Sequence, residues 1–61
     1  MKTFMKGQLK LMNKKEVVDI CYNICKAIGK PDTKENLNLH SKEYLIRYYG
    51  RVRNEHLLGV K

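Results

Sequence analysis

Two cysteines, two histidines and a cluster of tyrosines among arginines are the residues here with chemistry to offer. Cys21, Cys25, His40 and His56 make a formal Cys2His2 set, ligand types that zinc accepts in a tetrahedral site. The spacing argues against a zinc site. The cysteines are four apart on one helical face, and the histidines are sixteen apart, where zinc motifs leave three to five residues between them. Both cysteines also continue an apolar stripe, where a free thiol behaves as a small hydrophobe. A disulfide between helical neighbours at this spacing is disfavoured by geometry. Nucleophilic catalysis would set Cys25 beside a histidine and an orienting acid, but the nearest acid, Asp19, belongs to the opposite helical face. The expectation is a chain with no catalytic residue, no metal site, no cofactor and no small-molecule substrate. Two cysteines in one helix make no disulfide framework, which points to a reducing, cytoplasmic setting.

The second constellation lies in residues 41–58, SKEYLIRYYGRVRNEHLL, which hold all three arginines and three of the four tyrosines. At 100° per residue, Leu45, Tyr48, Tyr49, Val52 and His56 gather on one side, and Arg47, Arg51 and Asn54 on the other. Such a helix buries one face and offers a cationic strip on the other. Arginines beside tyrosines suit binding hot spots, and arginine also meets phosphates and guanine edges. The candidate nucleic-acid or partner-binding residues are Arg47, Arg51, Arg53, Asn54, Tyr44 and Lys42. The competing reading packs Tyr48 and Tyr49 in a core and leaves the arginines solvated.

These residues need elements to hold them. Asn13 is a good N-cap, with Glu16 three residues later and Met12 and Val17 at the positions of a hydrophobic staple. Val17, Ile20, Cys21, Ile24 and Ile28 recur at helical spacing, while Gly29 and Pro31 supply the stop. The spacing predicts a helix over 13–28. A second helix over 42–58 is capped by Ser41, with Gly50 marking a kink or a close backbone approach. Between them, Asp32 or Thr33 can cap a short third turn, and Leu37 and Leu39 are expected in the core. Residues 1–12 read as a flexible or strand-like basic arm, since Gln8 to Leu11 alternate and Gly7 weakens a helix. Met12 is also a candidate start, giving a unit of 50 residues. The division is therefore an arm at 1–12 and a helical domain at 13–61, with no internal repeat or low-complexity tract in view.

Sixty-one residues allow one domain, and a chain of this size buries only roughly 60% of the surface its unfolded form exposes. Small chains need a staple or a second copy. With no disulfide framework, homodimerisation is the expected completion of an all-α fold. The net charge is +7, with +3 in residues 1–12 and +3 in 42–61. This surplus favours polyanionic partners, either nucleic acid or an acidic protein surface, over simple solubility by charge. No apolar run approaches the ~20 residues of a membrane span, and Lys6, Gln8 and Lys10 interrupt any signal-peptide core.

In element order the chain is similar to ribbon-helix-helix repressors, which pair a short N-terminal strand with two helices and dimerise on DNA. That resemblance implies Lys6, Gln8 and Lys10 facing the major groove; the long 29–41 connection departs from it. In its Lys-, Asn- and Ile-rich usage the chain, and in size its 50-residue unit from Met12, resembles small phage-encoded regulators of low-GC Gram-positive hosts. Among these are tectiviral co-repressors that bind a LexA-type host repressor and strengthen its hold on DNA. The resemblances imply regulation of transcription, by binding DNA or a DNA-bound host repressor. The alternative is an inhibitor or adaptor of a host factor that never touches DNA.

Overall fold

The computed structural model describes residues 3–58. They form four helices: α1 (Lys6–Lys10), α2 (Lys14–Ala27), α3 (Lys34–Asn38) and α4 (Lys42–Leu58). The two long helices match their sequence signals. Asn13 accepts the Glu16 amide at 2.9 Å at the start of α2. Its end is a Schellman turn, with Gly29 at φ 79° and the Lys30 amide donating to the Cys25 carbonyl at 2.8 Å. The short third turn exists as α3, capped by Thr33, whose hydroxyl accepts the Asn36 amide at 3.2 Å. Ser41 does the same for Tyr44 at the start of α4. Gly50 lies within the continuous α4 with nothing near the place of its missing Cβ, so no backbone approaches there.

The basic arm is the main correction. Residues 6–10 are helical, and the segment packs on α4. Leu9 is buried, a gain of roughly 1.5–3 kcal/mol for such a side chain. The Phe4 amide donates to the Tyr49 hydroxyl at 2.9 Å, and Arg53 Nη1 donates to the Phe4 carbonyl at 2.8 Å. These contacts give a five-residue helix the tertiary support that its local sequence lacks. Among the described residues no strand forms, so the ribbon of a ribbon-helix-helix fold is not present there.

An internal repeat is the second correction. Residues 6–14, KGQLKLMNK, and 34–42, KENLNLHSK, align at an offset of 28. Each begins with a five-residue helix that ends on a leucine C-cap, Leu11 or Leu39, and runs on to the cap of a long helix. The buried positions also repeat, Leu9 with Leu37, Val17 with Leu45, Val18 with Ile46, Cys21 with Tyr49 and Ile24 with Val52, except that buried Cys25 corresponds to half-buried Arg53. Lys14 Nζ donates to the Asn38 carbonyl at 2.8 Å, and Lys42 Nζ donates to the Lys10 carbonyl at 2.9 Å. Each lysine thus caps the last residue of the other unit's short helix, the reciprocal exchange that two-fold-related units make. Leu39 is exposed together with Leu11, against the expectation that it enters the core. A leucine at the C-cap lies past the last buried position of so short a helix. The core lies between α2 and α4, with α1 sealing it along α4 and α3 along α2.

Candidate nucleic-acid interface

The thiols come first, because they carry the most reactive chemistry. Cys21 and Cys25 are free and fully buried. The Cys21 thiol donates to the Leu45 carbonyl at 3.5 Å. Burial foremost, with the neighbouring Cys25 second, pushes its pKa up to about 12. Cys25 lies 3.6 Å from the Tyr48 hydroxyl and 3.8 Å from Asp32 Oδ2, and burial raises its pKa too. The Tyr48 hydroxyl donates to Asp32, and burial, followed by that bond, holds it well above the ordinary phenol range. Protonated thiols under a closed surface are poor nucleophiles and poor metal ligands. The Cys25–Tyr48–Asp32 cluster pins the 29–33 turn to α4. Asp32 therefore serves α4 through Tyr48, while Thr33 caps α3. Among the described residues no three Cys, His, Asp or Glu side chains converge as metal ligands do.

The arginine strip divides. Arg47, Arg51 and Asn54 are exposed on the face of α4 opposite Leu45, Tyr49 and Val52, as the helical spacing requires. Arg53 is drawn inward. Its Nη1 holds the Phe4 carbonyl and lies 3.6 Å from Met5 Sδ, and its Nε is buried without a hydrogen-bond partner. Lys42 is committed to the end of α1 through the Lys10 carbonyl. Tyr44 is about half exposed, stacked between His40 at 4.2 Å and Tyr48 at 6.1 Å between ring centroids. His56 is half-buried near the end of α4. The strip proper is thus Arg47 and Arg51, one helical turn apart, with Asn54 beyond.

Sequence reasoning missed what lies beside that strip. The helical α1 carries Lys6 and Lys10, also one turn apart, along α4. Lys6, Lys10, Glu43, Ile46 and Arg47 line a groove of about 230 Å³ between the two helices. It adjoins a second hollow where Lys6 and Arg47 meet Gly50 and Arg53. The ion pairs of the described residues, Lys30 with Glu55 and Lys34 with Asp19, lie elsewhere, so Lys6, Lys10, Arg47 and Arg51 have no carboxylate partner among those residues. The repeated nonapeptide, unread in the sequence, is the signal that could have set the lysines of the arm on a helix.

No protein-family model, no curated protein and no solved structure matches the chain.

Proposed function

We propose that this chain is a small, non-enzymatic regulator of transcription, of phage or mobile-element origin, that works by binding duplex DNA with the outer face of α4. The observation that carries the reading is the pair Arg47 and Arg51, exposed, one turn apart and without a carboxylate partner among the described residues. Guanidinium groups so placed suit phosphate contacts and guanine edges. A net charge of +7 steers the encounter with a polyanion. No helix among the described residues is long and apolar enough to cross a membrane.

A second reading, an adaptor that binds a host protein, draws on a different surface. Phe4, Ile20, Ile24, Ala27 and Tyr49, with Asn23 and Lys26, line a mainly apolar hollow of about 500 Å³. Leu57 and Leu58 are exposed at the end of α4. The size and composition shared with tectiviral co-repressors make a LexA-type host repressor the first protein to try. Homodimerisation belongs to the same proposal, since a second copy would cover exposed leucines; sedimentation at micromolar concentration measures it.

Fluorescence anisotropy of a labelled random DNA duplex at two salt concentrations separates the readings. Binding that weakens steeply with salt supports the DNA reading. No binding at low salt, despite the charge, would reject it and favour the adaptor.

A further inference from the structure

We infer that the groove between α1 and α4 is a phosphodiester-binding site, with Lys6, Lys10 and Arg47 as its phosphate contacts. This rests on the DNA reading and extends it from a strip on one helix to a cleft between two. The internal repeat supplies the reason, because it sets the equivalent positions between α3 and α2, where Tyr22, Thr33, Lys34 and Glu35 line a hollow. There, Lys34 has partners: its Nζ lies 3.3 Å from the Asp19 carboxylate and 5.3 Å from the centroid of the Tyr22 ring. At the offset of 28, Lys34 corresponds to Lys6, Asp19 to Arg47 and Tyr22 to Gly50. The carboxylate that neutralises one lysine is thus replaced by a guanidinium beside the other. The ring that receives one ammonium is replaced by a glycine with open space around it.

Two further substitutions run the same way, while Glu43 and Asn54, whose counterparts are Lys15 and Lys26, run the other way. Lys10 has Asn38 as its counterpart, and Arg51 has Asn23. One carboxylate, Glu43, lies at the groove and leaves it net positive. Like charges lining one cleft repel each other, and a linear anion laid along it relieves that repulsion on both helices at once. Arg53, whose Nε is buried without a partner, lines the adjoining hollow. A phosphate strand fits better than a single small anion, because α1 contributes two cations one turn apart, about 6 Å along its axis, and Arg47 of α4 lies across the groove from them.

The test compares the groove with the equivalent hollow in the full-length protein. Affinity for a labelled duplex is measured across a salt series for the unsubstituted chain, Lys6→Gln, Arg47→Gln and Lys34→Gln. Each phosphate contact contributes about 0.9 to the slope of log affinity against log salt. Lys6→Gln and Arg47→Gln are expected each to flatten the slope by about 0.9, and Lys34→Gln to leave it in place. Equal slopes for Lys6→Gln and Lys34→Gln, on a chain that binds DNA, would overturn the groove and spare the DNA reading. No binding by the unsubstituted chain would overturn both. Circular dichroism of each variant confirms that the helices persist.

Discussion

Lys34 lies 3.3 Å from the Asp19 carboxylate, whereas Lys6, its counterpart in the repeat, shares its groove with Arg47. The two halves of the molecule use one backbone plan for opposite electrostatic ends. At this position one half is neutralised internally and the other is left cationic. An exposed ion pair contributes only about 0–1 kcal/mol, so the neutral half gains little stability from Asp19. The cationic half gives up equally little. The difference therefore weighs on what each face can bind more than on folding.

Arg47→Asp gives Lys6 the kind of neighbour that Lys34 already has. The variant is expected to keep its helical spectrum and to stay within about 1 kcal/mol of the original stability. Its affinity for duplex DNA should fall more than tenfold at low salt. Urea unfolding and anisotropy measure the two quantities; unchanged affinity would remove Arg47 from the interface.

Leu9→Ala and Leu37→Ala test whether α1 belongs to the core as α3 does. Both leucines are buried at equivalent positions, 1% and 2% exposed. Truncating a buried leucine costs about 2–5 kcal/mol, so both variants should be destabilised by similar amounts in urea. A cost near zero for Leu9→Ala alone would return residues 6–10 to the status of a loose arm. A chain begun at Met12 should likewise lose stability, since it lacks Leu9 and the contacts of Phe4 with Tyr49 and Arg53.

Burial of Cys21 sets an alkaline limit. Its pKa stands at about 12 in the folded chain against an ordinary 9.0. In the unfolded chain the thiol ionises first, so the unfolded state holds fewer protons above pH 9 and stability declines from there towards pH 12. Cys25 and Tyr48, raised for the same reason, act in the same direction. The urea midpoint should hold between pH 7 and about 8.5 and decline by about pH 10. Cys21→Ala, weaker at neutral pH, should show a shallower decline. A midpoint that stays level to pH 10.5 would contradict this.

The long helices were legible because their signals are local. Asn13, Ser41, Gly29 and the spacing of the apolar residues act within a turn or two of themselves. The helix α1 was not, because isolated helices shorter than about 12–15 residues are marginal. Its five residues, with Gly7 among them, depend on Leu9 reaching the core, on Lys42 at its C-terminus and on the tether from Arg53 to Phe4. The repeat was hidden for a related reason: only four of the nine positions of the two nonapeptides coincide, Lys6 with Lys34, Leu9 with Leu37, Leu11 with Leu39 and Lys14 with Lys42, and Asn13 and Ser41 agree as caps alone. Arg47 and Arg51 could be placed on the exposed face from helical spacing. The inward turn of Arg53 could not, because the atoms it binds belong to residues some fifty positions earlier in the chain.

Backbone amide NMR shifts of the labelled protein, recorded while a duplex oligonucleotide is added, test the central claim most directly. The account expects the largest shifts at residues 6–10 and 46–51, with Gly50 among them, and small shifts at the equivalent 34–38 and 18–23. Shifts that favour the α2–α3 side, or that fall equally on both sides, would contradict it.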